Sequence, residues 1–174
     1  IMNYGLRTQA FDENDPPSPG GYTLPFPRLL EAVAAIDGIK RIRFTSGHPS
    51  GVTDELIRLY KEEPKLCHHL HLPVQSGSTT VLSRMRRGYT REQYLQALTR
   101  LREAAPDIAI TTDVIVGFPG ETEADFEETR TLMEAAQFDN AFIFKYSPRP
   151  GTVSATWEDR LIVVCKCHGE DREA

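Results

Sequence analysis

The fold is decided by the stretch Asp113-Val-Ile-Val-Gly-Phe-Pro-Gly-Glu-Thr122. A β-branched run ends here in a turn of glycine and proline, and an acidic, amphipathic segment (121–136) follows. This order predicts a strand, a tight loop and a helix. Few side chains surround Gly117 and Gly120, so backbone N–H groups and the positive end of the helix stay open to an anionic or polar ligand. The loop is either a cofactor rim or a plain strand-to-helix connection, and the pattern alone leaves both open.

The same unit of a strand followed by one or two helices repeats about every 35 residues. Strands are predicted over 41–46, 68–75, 108–117 and 140–147, and helices over 26–36, 53–62, 78–87, 90–105 and 121–136. Thr90 with Gln93, and Thr122 with Asp125, have the spacing of helix N-terminal caps. Strands that alternate with helices of this length pair in parallel through right-handed crossovers. The predicted fold class is α/β, as an open sheet or part of a barrel.

Side-chain alternation within the strands favours a barrel with a ligand-holding interior. One face of each strand is apolar, as at Ile42, Leu70 and Val114. The opposite face is polar and carries Arg43, Thr45, His69, His71, Gln75 and Asp113. Burying such groups unpaired costs roughly 1–3 kcal/mol each, so we expect a hydrated lumen that holds a ligand. Mutual pairing of these side chains without a ligand is the alternative.

Two further loops follow strands on the same rim. Pro73-Val-Gln-Ser-Gly-Ser78 offers an amide, two hydroxyls and a glycine, and Tyr146-Ser-Pro-Arg-Pro-Gly-Thr152 offers an aromatic ring and a guanidinium between two prolines. Parallel sheets carry their chemistry in the loops after the carboxyl ends of strands. All three loops therefore predict one site.

Composition narrows the classes of protein. The chain has 174 residues, 40% of them hydrophobic, which suits one domain with its own core. It has no apolar run of membrane-spanning length and no secretory signal pattern, so we expect a cytoplasmic protein that does not bind membranes. Its three cysteines do not suggest a disulfide framework. The net charge of −5 gives no overall footprint for nucleic acid. A local cluster of Arg84, Arg86, Arg87 and Arg91 is either a phosphate-binding patch or a solvated helix surface.

Five ordered motifs across roughly residues 28–159 resemble the radical S-adenosylmethionine (radical SAM) methylthiotransferases. The motifs are Arg41-Ile-Arg-Phe-Thr-Ser-Gly-His-Pro49, His69-Leu-His-Leu-Pro-Val-Gln-Ser-Gly-Ser78, Met85-Arg-Arg-Gly-Tyr-Thr-Arg-Glu92, Thr112-Asp-Val-Ile-Val-Gly-Phe-Pro-Gly-Glu-Thr122 and Tyr146-Ser-Pro-Arg-Pro-Gly-Thr152. The Gln-Ser-Gly-Ser and Ser-Pro-Arg-Pro-Gly-Thr forms favour the branch of the family that modifies tRNA. The branch that modifies a ribosomal protein is the alternative.

The resemblance implies a partial (β/α) barrel, with about four parallel strands in this chain and helices on the outer face. Its lumen would hold S-adenosylmethionine (SAM) against a [4Fe-4S] cluster that cleaves it to a 5′-deoxyadenosyl radical, while a second cluster donates sulfur. The implied reaction adds a methylthio group to N6-isopentenyladenosine next to the anticodon. The implied partners are the tRNA anticodon stem-loop and an electron-donor protein, and the enzyme would be a monomer.

Carried over position by position, the cofactor-binding role of the family falls on seven residues. They are Gln75, Ser76, Asp113, Ile115, Gly117, Tyr146 and Arg149. The first two would lie near the methionine or ribose part of SAM, and the next three beside its adenine and ribose. The last two would close over the adenine or the target nucleotide. No residue is assigned as catalytic or as a metal ligand.

The chain also departs from the family pattern. It lacks the Cys-x3-Cys-x2-Cys motif that binds the radical-generating cluster, so we expect the chain alone to be catalytically inactive. Residues 1–25 are expected to be an exposed loop that continues from a missing part, residues 26–159 the partial barrel, and residues 160–174 a disordered tail. A truncated or frame-shifted gene fragment would explain both ends. Within the tail, Cys165-Lys-Cys-His168 lacks the usual spacing of zinc or cluster ligands.

Two rival functions belong to other classes. His69, His71 and Asp113 lie in strands with the side-chain direction of a metal site, as in a barrel hydrolase that activates water on zinc. A non-catalytic binding module is the third possibility.

Overall fold

The computed structural model describes residues 26–45 and 47–157. Its helices are α1 (Phe26–Ala34), α2 (Asp54–Glu62), α3 (Thr79–Arg84), α4 (Arg91–Ala104) and α5 (Glu123–Ala136), and its strands are β1 (His69–His71), β2 (Ala109–Val116) and β3 (Asn140–Lys145). Two short 3-10 turns occupy Pro49–Gly51 and Val153–Thr156. The predictions for residues 1–25, Ser46 and 158–174, including Cys165-Lys-Cys-His168, lie outside the described residues.

The three strands form one parallel sheet in chain order, with β2 in the centre. His71 pairs with Thr111 on one side of β2, and Asp113 pairs with Phe142 on the other. This confirms the α/β class and the parallel pairing that the strand-and-helix alternation predicted. A partial barrel is compatible with this sheet.

The strand predicted over 41–46 does not form in the part that the structure describes, residues 41–45, and this expectation was wrong. Only Ile42 pairs there, in a single parallel bridge with Leu66. The next step of the ladder would need the carbonyl oxygen of Cys67, which instead accepts the amide of His69 at 2.7 Å. The segment is therefore extended, and a further backbone hydrogen bond to β1 comes from the Gly47 amide, which donates to the His71 carbonyl at 2.9 Å.

The strand predicted over 68–75 is interrupted after His71. Pro73 has no N–H to donate, and the Thr112 side chain takes the place of the ladder. Its hydroxyl donates to the Leu72 carbonyl at 3.0 Å and accepts the Val74 amide at 2.9 Å. Pairing resumes as a single bridge between Gln75 and Val114.

Helix starts follow the sequence closely. Thr53 caps α2, and complete capping boxes open α4 (Thr90 with Gln93) and α5 (Thr122 with Asp125). In each box the threonine oxygen accepts an amide of the first turn and the partner side chain accepts the cap amide, so the exposed helix start is satisfied.

The apolar faces of the strands pack against the helices, as predicted. Ile42, Leu70, Ile110 and Val114 are buried in one cluster with side chains of α1, α2, α4 and α5. Burying each of these aliphatic side chains is worth about 1.5–3 kcal/mol. β3 is different, because Phe142, Ile143 and Phe144 are all at least half exposed. In the described part of the chain, no helix has the length and apolar character needed to cross a membrane.

Candidate functional site

The polar face of the sheet exists as the alternation predicted. His71 lies between two side chains of β2, with Nδ1 2.9 Å from Thr111 Oγ1 and Nε2 3.4 Å from Asp113 Oδ2. Arg43 reaches the same face, where its Nη2 lies 3.1 Å from His69 Nε2. The side chains of His71 and Asp113 are 17% and 28% exposed, so the face is accessible to solvent and to a ligand.

Hydrogen bonds among these side chains satisfy only some of the polar atoms on this face of the sheet. Nδ1 of His69 is buried and has no hydrogen-bond partner within the described part of the chain. Burial, and then the positive charge of Arg43, lower the pKa of His69, so its ring is neutral near pH 7. An unpaired neutral imidazole nitrogen on a half-exposed face is a group that a ligand or water can satisfy.

The geometry does not support the metal-hydrolase reading. No group of three or more His, Cys, Asp or Glu side chains among residues 26–45 and 47–157 is placed to hold a metal ion. His69 Nε2 faces the cationic Arg43, which excludes a second cation, and the His71 ring nitrogens face Thr111 and Asp113.

Gln75 and Ser76 have different environments although they are neighbours. Gln75 has a left-handed backbone (φ 70°) and exchanges hydrogen bonds of 2.8 Å with β2, from its amide to the Asp113 carbonyl and from the Ile115 amide to its carbonyl. Ser76 is fully buried, and its Oγ lies 3.3 Å from Thr129 Oγ1 on α5. The backbone of Gln75 therefore pairs with β2 and the residue is buried, whereas the hydroxyl of Ser76 is directed toward α5.

A buried glutamate holds the loop between β2 and α5. Glu121 Oε2 accepts the amide of Gly117 at 2.5 Å, so this amide is not open to a ligand as the sequence suggested. Its Oε1 is buried without a partner among the described residues. Burial raises the pKa of Glu121 above the ordinary value, although hydrogen bonds from Gly117 and Phe118 oppose the shift. Sequence reasoning missed this residue, and its position directly before the helix cap Thr122 was the available signal.

An aromatic cluster stands where β2 and β3 end. The Phe118 ring contacts Tyr146 edge-on with centroids 5.2 Å apart, and Trp157 likewise at 5.9 Å. The guanidinium of Arg84 lies 5.4 Å from the centre of the Trp157 ring and donates to the Gly120 carbonyl at 2.8 Å. The hydroxyl of Tyr146 is buried and has no partner in the described ranges.

This aromatic cluster lines a cleft of about 320 Å³. Its other walls include Ile115, Arg86 and Arg87. The cleft thus brings together two of the seven predicted cofactor residues, Ile115 and Tyr146. Arg149 lies outside it in an exposed turn. Trp157 and Phe118 were not predicted, because their approach depends on how the chain after β3 returns to the loop.

Comparison with known protein families identifies the superfamily of this chain. Residues 19–133 match the model of the Radical SAM superfamily. The chain belongs to this superfamily. Within the radical SAM superfamily, a relative from Geobacter metallireducens is 50% identical over 162 residues, which cover 93% of this chain and 34% of the relative. Relatives from Alkalilimnicola ehrlichii and Caldicellulosiruptor saccharolyticus are 57% and 55% identical, over 75% and 79% of this chain and 29% of each relative.

All three relatives bear the name tRNA-2-methylthio-N(6)-dimethylallyladenosine synthase. The chain spans about a third of the length of the curated relatives it matches.

Of the two cofactors of the radical SAM family, the described residues suit SAM but not an iron–sulfur cluster. An adenosine suits the wall of Ile115 and Tyr146, because an apolar side chain and an aromatic ring accept its base and the unpaired Tyr146 hydroxyl can donate to it. An iron–sulfur cluster needs several thiolates. Cys67 is the one cysteine among the described residues, and no group of three or more possible metal ligands occurs there, so these residues do not supply a cluster site.

Proposed function

We propose that this chain is part of an enzyme that uses SAM to add a methylthio group to N6-isopentenyladenosine beside the anticodon of tRNA. The observation that carries the proposal is identity of 50% over 93% of the chain to a relative bearing the name of that reaction. The described residues form a parallel sheet with a polar face, and a cleft lined in part by Ile115 and Tyr146 adjoins it, which supports a cofactor role for this segment.

The proposal assigns the cofactor to the polar face and the adjoining end of the cleft. Ile115 would pack on the adenine, the Tyr146 hydroxyl would donate to it, and the Asp113 carboxylate would accept a ribose hydroxyl. The remaining candidates for cofactor binding do not line both the polar face and the cleft. They are Gln75, Ser76, Gly117 and Arg149. When bound, SAM supplies radical chemistry that begins with one-electron reduction. The residues of this chain bind and orient it and shield it from water.

Several finer features belong to the same proposal. The sheet would be part of a partial barrel. The partners would be the anticodon stem-loop of tRNA and a protein that donates electrons. The enzyme would act as a monomer in the cytoplasm, where tRNA is modified.

A chimera tests this function directly. The 162 matched residues of the Geobacter metallireducens relative are replaced by the corresponding residues of this chain, so the rest of the relative surrounds the tested segment. The purified chimera is reduced and supplied with SAM and isopentenylated tRNA, and methylthio incorporation is measured by mass spectrometry of digested nucleosides. We expect activity of the chimera, and loss of activity with Asp113→Asn because a ribose hydroxyl loses its anionic acceptor.

Matched controls separate function from folding. The unmodified relative gives the reference rate, and the Arg41→Gln chimera changes an exposed residue at the opposite, amino end of the sheet. A folded chimera that binds SAM but modifies no tRNA would refute the proposed reaction. Full activity of the Asp113→Asn chimera would refute the residue assignment alone.

A further inference from the structure

The arginine cluster of the sequence divides into two groups in the structure. Arg91 is used in packing: its guanidinium donates to the Glu128 carbonyl, to the Gly77 carbonyl at 3.3 Å and to Thr131 Oγ1 at 3.2 Å. Arg86 and Arg87 line the cleft instead. None of the ion pairs between described residues includes either of them.

Arg86 occupies a backbone position that favours glycine. It has φ 56° and follows the end of α3, where its amide donates to the Ser83 carbonyl and the Arg87 amide donates to the Leu82 carbonyl. These two bonds define a helix end whose left-handed residue is usually glycine. A side chain there costs stability, and such strain often marks a functional segment. Glycine occurs only two positions later, at Gly88.

Arg87 is also incompletely satisfied. Its Nε is buried and has no hydrogen-bond partner in the described part of the chain. A buried N–H of a guanidinium that lacks an acceptor is unfavourable, and an anion in the cleft would satisfy it. Arg84 adds a third positive charge beside Trp157. The cleft therefore combines concentrated positive charge with aromatic rings in a chain whose net charge is −5.

We propose that this cleft binds a nucleotide of single-stranded RNA, with its phosphate at Arg86 and Arg87 and its base against the Trp157 ring. The inference rests on the proposed tRNA-modifying function and specifies where the RNA lies. Single-stranded RNA is recognised by exposed bases that stack on aromatic or guanidinium planes and by cations at the phosphates. SAM has no phosphate, and its sulfonium is repelled by the guanidinium groups. The two ligands therefore lie side by side, with Ile115 and Tyr146 between them.

Binding of an RNA hairpin with an anticodon-like loop to the full chain tests the inference. Fluorescence anisotropy of labelled RNA gives the affinity at several salt concentrations, and the emission of Trp157, the single tryptophan, reports stacking. Arg86→Gly and Arg87→Gln should each weaken binding roughly tenfold, as expected for one lost charged hydrogen bond. Each should also reduce the salt slope by about one. Quenching of Trp157 by RNA should accompany binding.

Arg86→Gly has an additional signature. Because glycine relieves the left-handed backbone, this variant should unfold at an equal or higher denaturant concentration while it binds RNA more weakly. The charge-matched control is Arg41→Gln, which lies at the amino end of the sheet and should retain affinity. In the chimera, the two cleft variants should raise KM for tRNA and leave the affinity for SAM unchanged.

Three outcomes would overturn the inference. One is unchanged RNA affinity in both cleft variants, and another is an equal loss in Arg41→Gln. The third is quenching of Trp157 by SAM rather than by RNA, with the same dependence on Arg86 and Arg87, which would assign the cleft to the cofactor and leave the proposed function intact. Conversely, arginine-dependent RNA binding in a chain whose chimera cannot methylthiolate tRNA would refute the function and retain an RNA-binding cleft.

Discussion

Gly77 lies directly against the backbone of α5 at Thr129. Its amide donates to Thr129 Oγ1 at 2.9 Å, and a Cβ on Gly77 would come within 2.4 Å of Thr129 Cα. Since backbone atoms cannot move aside as a flexible side chain does, Gly77→Ala must separate α5 from the loop after β1. We expect a loss of about 1–3 kcal/mol in the free energy of unfolding, measured by urea denaturation.

Gly88→Ala is the matched control for Gly77→Ala. Gly88 has open space around its Cα but a left-handed backbone (φ 72°), so alanine there should cost only about 1 kcal/mol. If both variants lost the same stability, close packing on α5 would not be what requires glycine at Gly77.

Asp125 connects the start of α5 to the start of α3. Its Oδ1 accepts the hydroxyl of Ser78 at 2.6 Å, and its Oδ2 accepts the amide of Thr122 at 2.8 Å. Burial opposes its ionisation, but the bonds from Ser78 and Thr122 outweigh burial and lower the pKa of Asp125. Asp125→Ala should lower the free energy of unfolding at pH 7 by about 1–2 kcal/mol.

The pH dependence of Asp125→Ala follows from the direction of that shift. A carboxylate with a lowered folded pKa stabilises the fold above its unfolded pKa of about 3.9, and this contribution disappears as pH falls through the folded value. The stability difference between the wild type and Asp125→Ala should therefore shrink below about pH 4. The exposed Asp54→Ala serves as the comparison at the start of α2. A difference that stays constant down to pH 2 would contradict the assigned role of the charge.

Arg91 should behave as a packing residue rather than as an RNA contact. Its three acceptors lie on α5 and the Gly77 loop, so Arg91→Gln removes the side-chain contacts that join the start of α4 to these two segments. We expect a loss of about 1–3 kcal/mol in the free energy of unfolding. The salt slope of RNA binding should remain that of the wild type. A reduced salt slope together with unchanged stability would show instead that Arg91 contacts an RNA phosphate.

Local chemistry explains which parts of the fold the sequence could predict. The capping boxes of α4 and α5 and the run into β2 depend on neighbours within a few residues, and all three formed as predicted. The absence of a strand over residues 41–45 is caused by a contact elsewhere in the chain. The Cys67 carbonyl, which the pairing would need as an acceptor, accepts the His69 amide instead. The apolar pattern of Ile42 and Phe44 reports burial, and both are buried, but it does not report pairing.

The candidate site divides in the same way. The shared face of His71 and Asp113 follows from strand alternation, which the sequence shows. The cleft depends on tertiary contacts, because Trp157 returns to Arg84 across a long stretch of chain. No sequence pattern reports that approach, and none distinguishes the packed Arg91 from the cleft residues Arg86 and Arg87.

Glu121→Gln should stabilise the protein at neutral pH. Burial raises the pKa of Glu121 above its ordinary value of 4.5, so the folded state binds this proton more tightly than the unfolded state. The protonated carboxyl of Glu121 therefore makes its full contribution to the free energy of unfolding below about pH 4.5. This contribution is lost as pH rises through the folded pKa of Glu121, and it does not return at higher pH. Glutamine keeps an oxygen that can accept the Gly117 amide and removes the buried charge. We expect a gain of about 1 kcal/mol at pH 7 that vanishes near pH 4, measured by urea denaturation at both pH values.

Glu103→Gln, at an exposed position, should not reproduce this difference. A loss of stability at pH 7 would show instead that the ionised carboxylate is needed to hold the loop between β2 and α5.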